Sequence, residues 1–308
     1  MNGLIEQQNA WPELKFELLQ DTIQTVQLWT QIVGKIRLRQ TPRLNHSWNV
    51  TLYVSPRGLT TGSMQYDKGI FELEFDFITH RLLLTTSEGH NDNIALQPGT
   101  IAGFYKELFD KLKAAGIYCT ICAIPNEIDP AIPFRKDMAE RGYNKEQMHQ
   151  YWKALIAVDK VFNLFRAGFT GKCSPVHLFW GAFDLAVTRF SGRKAPLYQG
   201  QVPNMPLDVM QEAYSHEVCS AGFWPGSKEF PHPAFYAYCY PNPDAFGQQA
   251  VQPSAAFYNK EMGEFFLVYD EVRLSAEPEQ MLIDFLQYTY EAAAITGGWD
   301  MDALEFKI

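Results

Sequence analysis

The chain reads as an α+β protein of antiparallel sheets flanked by helices. Two observations predict this. Short alternating segments follow one another directly, without the helices that a βαβ chain would place between its strands. Long segments of helical period stand at the ends of these runs rather than inside them. The clearest strand is FELEFDF, where Phe71, Leu73, Phe75 and Phe77 share one face and Glu72, Glu74 and Asp76 the other.

In chain order, Asp21 is the expected N-cap of a first helix reaching about Arg39. Ile23, Val26, Trp29, Thr30 and Val33 fall near helical spacing, and Pro42 ends it. Strands are expected at 50–54, 71–77, 81–86 and 93–96. A helix over 100–115 follows, with Ile101, Phe104, Leu108 and Leu112 in one stripe and Gly116 as a left-handed stop. Residues 118–124 alternate as a strand. The three prolines of 125–143 read as a linker, after which Asn144 caps a helix to about Arg166. Strands at 176–180, 184–190, 217–223, 234–240 and 265–269 precede a last helix over 278–296, started by Ser275 and stopped by Gly297 and Gly298. The division is therefore residues 1–124, a linker 125–143, and residues 144–308. Each half runs helix, strands, helix, an order that points to a duplicated α-β-β-β-β-α unit, with the two halves packing either separately or as one domain.

Composition narrows the function. The 308 residues are 46% hydrophobic and 20% charged, as in an ordinary globular protein, and the 14% aromatic content is high. A net charge of −9 argues against nucleic acid, whose affinity rests on Lys and Arg neutralising phosphates, and against a polybasic membrane anchor. No run is apolar enough to span a bilayer and no secretory leader is legible at the start. Five scattered cysteines, an odd number, point to a reducing compartment, so the cytoplasm is the expected location. Cys119 and Cys122 form a lone C-x-x-C whose sulfurs a strand would put on opposite faces.

The stretch KCSPVHLFWGAFDLAVTRFSGR, residues 172–193, carries the strongest functional signal. A hairpin turning at Gly181 and Ala182 puts Val176, Leu178, Trp180, Phe183, Leu185 and Val187 on a core face. His177, Phe179, Asp184, Ala186 and Thr188 fall on the other face. Asp184 then lies opposite Phe179 and diagonal to His177. A carboxylate beside an imidazole suits a general base or a metal ligand, and the alternative is a structural hydrogen bond closing the hairpin. His177, Asp184 and, on the next strand, His216 are the catalytic candidates. The same three would hold a metal only if their strands are neighbours. Arg189 and Arg193 would suit an anionic group, or else are ion pairs.

Trp180, Tyr214, Glu217, His46, Trp48 and Arg57 complete the candidate binding set, the last three from NHSWNVTLYVSPRGLTTG in the first half, where a cleft between halves would draw on them. Tyr236, Tyr238 and Tyr240 share one strand face, as a stacking row or as half-buried packing. No HExxH, GxSxG, GxGxxG or P-loop is present, so the sequence names no cofactor and leaves the metal question to the conditional His177, Asp184 and His216 set.

The segments WTQIVGKIRL, NHSWNVTLYVSPRGLTTG, FELEFDFITHRL, GKCSPVHLFWGAFDLAVTRFSGR and EAYSHEVCSAGFWPG together resemble a family of bacterial proteins of about this length, known only as a domain of unknown function. The likeness runs from Trp11 to Leu304, and its SPVHLFWGAFDLAVTRFSGR run is highly specific. It implies a full-length member and assigns no activity and no catalytic residue. The expectation from the residues is a small polar or anionic ligand at a His/Asp/Arg cleft, with acid–base or hydrolytic chemistry if the protein is an enzyme. An interaction scaffold with structural polar residues is the alternative.

Overall fold

A computed structural model describes residues 10–306. Helix α1 (Phe16–Gln40) is buried along most of its length: Val26, Ile32, Val33 and Ile36 are fully covered, and so are the polar Thr30 and Gln31. Buried polar groups need partners. Gln31 exchanges two hydrogen bonds with the Asn126 backbone, Nε2 donating to its carbonyl (2.9 Å) and Oε1 accepting from its N–H (2.8 Å). The helix starts five residues before Asp21, because Phe16 and Leu19 are already packed into the core.

The first sheet is wholly antiparallel. It comprises β1 (Tyr53–Val54), β2 (Gly58–Thr60), β3 (Met64–Tyr66), β4 (Gly69–Asp76), β5 (Arg81–Thr86) and β6 (Asn91–Ala95), in the order β1-β2-β4-β5-β6 with β3 also on β4. Phe71, Leu73 and Phe75 are buried as their alternation requires. A two-stranded ladder joins β7 (Gly99–Thr100) to β8 (Glu140–Arg141). Between them α2 (Ile101–Ala114) begins at the Thr100 cap, whose side chain accepts from Gly103 N–H, and ends before Gly116 at φ 78°. Residues 118–124 form no strand. Cys119, Ile121 and Ala123 pack against the core and Tyr118, Thr120, Cys122 and Ile124 are exposed, so the alternation is real. It lacks only a strand edge to pair with.

Helix α3 (Lys145–Ala167) starts at Asn144, whose side chain accepts from Gln147 N–H. The second sheet follows, formed from β9 (His177–Phe179), β10 (Asp184–Lys194), β11 (His216–Trp224), β12 (Ala234–Tyr240), β13 (Phe257–Asn259) and β14 (Glu264–Val268). Its order is β13-β14-β12-β11-β10-β9, again antiparallel. A short helix, α4 (Leu207–Ala213), interrupts the run between β10 and β11. The chain closes with α5 (Tyr269–Arg273), α6 (Pro278–Gly297) and α7 (Met301–Leu304). Glu277, not Ser275, is the N-cap of α6, and Gly298 ends it in the left-handed conformation.

One face of the second sheet holds Leu185, Val187, Ala221, Phe223, Phe235 and Ala237 and is buried. α3 packs on β10, and α6 on β11 and β12. The two sheets touch where Leu52 and Leu178 exchange backbone hydrogen bonds of 3.0 and 2.8 Å. Buried apolar residues from Trp11 to Ala294 form one contiguous cluster across both halves. The strand orders of the two halves differ, and the fold is α+β.

Gly34 lies mid-helix in α1, where glycine costs about 1 kcal/mol relative to alanine. It is there because the Trp180 indole lies against its Cα: an added Cβ would overlap the ring. That indole donates to the Val50 carbonyl at 2.9 Å. Gly34→Ala is therefore expected to destabilise the protein despite its better helix propensity, with the Trp180 fluorescence changing as the indole is displaced. Gln31→Ala, which strands both Asn126 backbone groups, should cost on the order of 2–4 kcal/mol in urea unfolding.

Candidate functional site

The second sheet's other face is the floor of a cavity of about 400 Å³. Cross-strand register arranges that floor in rows. Phe266 pairs with Tyr236, Tyr236 with Gly222, Gly222 with Ala186, and Ala186 with His177. Thr188, Ser220 and Tyr238 form the adjacent row, and Asp184 pairs with Phe179. Gly222 has a definite job here, since the Tyr236 ring lies across it where any Cβ would stand. Leaning over that glycine brings the Tyr236 hydroxyl to Asp184, to which it donates. A second polar chain crosses the floor: Thr188 Oγ1 lies 2.9 Å from Ser220 Oγ, and Tyr238 Oη 3.0 Å from Tyr214 Oη.

The roof is the segment around α4, which contributes Val202, Met205, Val209, Met210 and Tyr214. Two attachments from the first part of the chain hold it. Residues 45–47 form a tight turn with His46 and Ser47 at φ 55° and 57°. There the His46 N–H donates to Glu212 (2.8 Å) and Nδ1 bonds the Ala213 carbonyl (3.1 Å). Residues 126–128 form the other attachment: Glu127 N–H donates to the Pro203 carbonyl (2.9 Å) and the Asn204 side chain to that of Ile128 (2.9 Å). Glu127 itself, at φ 59°, puts its carboxyl into the cavity wall, against the bare Cα of Gly181. Glu127, Ala182 and Trp224 also line an outer hollow of about 570 Å³.

The electrostatics follow from burial. Removal from water pushes Asp184 up to about 6, with the Tyr236 hydrogen bond opposing. Glu127 and Glu264 are each raised to about 7, by burial first and by the Asp184 charge second. His177 is lowered to about 4 by burial. Its Nδ1 donates to the Pro175 carbonyl at 2.7 Å, so Nε2 is an unprotonated acceptor, and that atom has no hydrogen-bond partner. Neither Lys nor Arg is among the described residues lining this cavity.

The candidate residues divide into two groups. His46, Trp48, His177, Asp184 and Tyr214 all line the cavity, and the hairpin face anticipated from period two, Phe179, Ala186 and Thr188 included, is its floor. His177 and Asp184 do not hydrogen-bond each other; their partners are Pro175 and Tyr236. The other residues stand elsewhere. Trp180 is on the opposite, core face. Arg189 is buried there too, its guanidinium 3.4 Å from the Phe165 ring centroid and 4.4 Å from that of Tyr290. Arg193 pairs with Glu217 (2.7 Å) and donates to the Gly298 carbonyl at the end of α6 (2.9 Å). Arg57 pairs with Asp76 in the first sheet.

His216 pairs with Lys194, at the end of the β10–β11 ladder remote from Asp184, so the strands are neighbours but the three metal candidates do not converge. No group of three or more His, Cys, Asp or Glu among the described residues is placed to hold a metal ion. Glu127, Glu264 and Tyr236 were not among the candidates. The first lies in the presumed linker and the second opens a strand; only the tyrosine row carried a signal.

The pH dependence has a definite sign. A carboxyl raised by folding contributes most stability below its unfolded value near 4, and loses it as pH rises through the folded value of about 6. Asp184→Asn removes that loss. The variant's urea midpoint should gain on wild type between pH 5 and pH 8, by on the order of 3 kcal/mol at most. Parallel profiles would contradict the assignment. His177 acts in the opposite sense, losing its contribution as pH falls from about 6.5 toward 4.

Comparison with known proteins adds one fact. No curated protein and no solved structure matches the chain. Over residues 11–306, nearly its whole length, it does match the model of a family of unknown function, DUF5996, and the chain belongs to that family.

Proposed function

We propose that this protein binds a small molecule in the cavity between the second sheet and α4, with Asp184 available as an acid–base group. The observation that carries this reading is Asp184 itself. It is a buried carboxyl, hydrogen-bonded on one side by Tyr236 and electrostatically coupled to Glu127 and Glu264, in a hollow of ligand size. Three carboxyls raised toward neutrality cannot all ionise cheaply, so one can accept a proton while another supplies one. Such an arrangement supports proton transfer on a polar substrate. The anionic ligand considered from the sequence has less support, because its arginines are engaged elsewhere. A pure scaffold would have no use for a hollow lined by uncompensated acids, which favours the ligand reading.

Five cysteines, none in a disulfide, are consistent with a reducing compartment, and we place the protein in the cytoplasm on that ground. Among the described residues no helix is long and apolar enough to cross a membrane.

Native mass spectrometry of the purified protein, compared with the denatured sample, tests the reading. A small molecule lost on denaturation is the expected result. Ala182 is exposed on the cavity wall, so Ala182→Trp should abolish the extra mass without lowering the melting temperature. Retention of that mass in Ala182→Trp would move the ligand to another site.

A further inference from the structure

We propose that the ligand is a small organic ammonium ion with an apolar tail, its head seated at Asp184 in a lining that also carries Glu127 and Glu264. This rests on the cavity being the ligand site. The first argument is hydrogen-bond chemistry. His177 is only 1% exposed and its Nε2 is an acceptor without a partner. The carboxylates elsewhere in the same lining are acceptors when ionised. A wall of acceptors wants a ligand of donors, and an ammonium group offers three donors and no acceptor. The second argument is charge. The lining holds acids and no Lys or Arg among the described residues. The Lys172 ammonium sits at the His46 and Phe190 rings, and Phe190 is six residues along β10 from Asp184. At Asp184 a cation therefore offsets desolvation and an anion adds to it.

The third argument is the walls. Phe179 stands opposite Asp184, Phe266 opposite Tyr236, and Trp224 lines the same region. Aromatic faces around a carboxylate are the surroundings that bind organic cations. A metal cation does not suit these residues, since no three ligating side chains converge. The roof supplies the tail's contacts through Val202, Met205, Val209 and Met210, and unbranched methionines adapt to varied shapes.

Calorimetric titration of three matched probes at neutral pH decides the matter: 2-phenylethylammonium, 2-phenylethanol and 3-phenylpropanoate. The ammonium should bind about tenfold tighter than the alcohol, with the carboxylate weakest. In Asp184→Asn and Glu264→Gln, folded as judged by circular dichroism, the ammonium should fall toward the alcohol while the alcohol keeps its affinity. The wild-type ranking is decisive even if a variant fails to fold. Equal binding of ammonium and alcohol, or tightest binding of the carboxylate, overturns the ammonium assignment and leaves the cavity as a ligand site. Failure of all three probes also overturns it; a bare native mass in addition would remove the ligand reading itself.

Discussion

Three polar side chains spaced four apart on α1, Gln27, Gln31 and Lys35, hold the candidate site in position. Gln27 donates to the Gly181 carbonyl at the tip of the β9–β10 hairpin. Gln31 clamps the Asn126 backbone in both directions, and Lys35 bonds the Asn126 side chain. Backbone groups in turns have no ladder to satisfy them, so a buried helix that carries amides can serve as their partner. The result is that Glu127 and Gly181, from segments more than fifty residues apart, meet on one cavity wall. The helix that ties them belongs to the first half of the chain, and the floor they border belongs to the second.

The second sheet shows how one strand serves two environments. On β10, Leu185 and Val187 face the helices while Asp184, Ala186 and Thr188 face the cavity. Arg189 follows the same period and is carried into the core, where its charge is met by aromatic rings and the Phe165 carbonyl rather than by a carboxylate. On β11, Gly222 gives up side-chain packing so that Tyr236 can cross it. The floor gives up stability to keep acids away from water, a concession that binding a ligand of opposite charge would reverse.

Much of the fold was legible because its signals are local. Period two set the faces of FELEFDF and of the hairpin correctly, and Asn144 capped the helix it precedes. Period two also misled at 118–124, since alternation reports burial of one side and says nothing of a partner strand. The positive-φ turn at His46 and the short roof helix α4 left no periodic trace. At the site, His177, Asp184, His46 and Trp48 stood out as polar or aromatic residues in apolar company. Arg193 and Glu217 stood out equally, and proved to be each other's partners.

The sequence by itself determined the fold class, the two faces of FELEFDF and of the 176–190 hairpin, and the family. Only the tertiary structure decided which polar residues share a cavity. A face is a property of neighbours in the chain, whereas Glu127, Asp184, Tyr236 and Glu264 come together through register, a glycine that lets a ring pass, and an amide clamp on a distant helix. Those are contacts between residues far apart in the chain, and no local period encodes them.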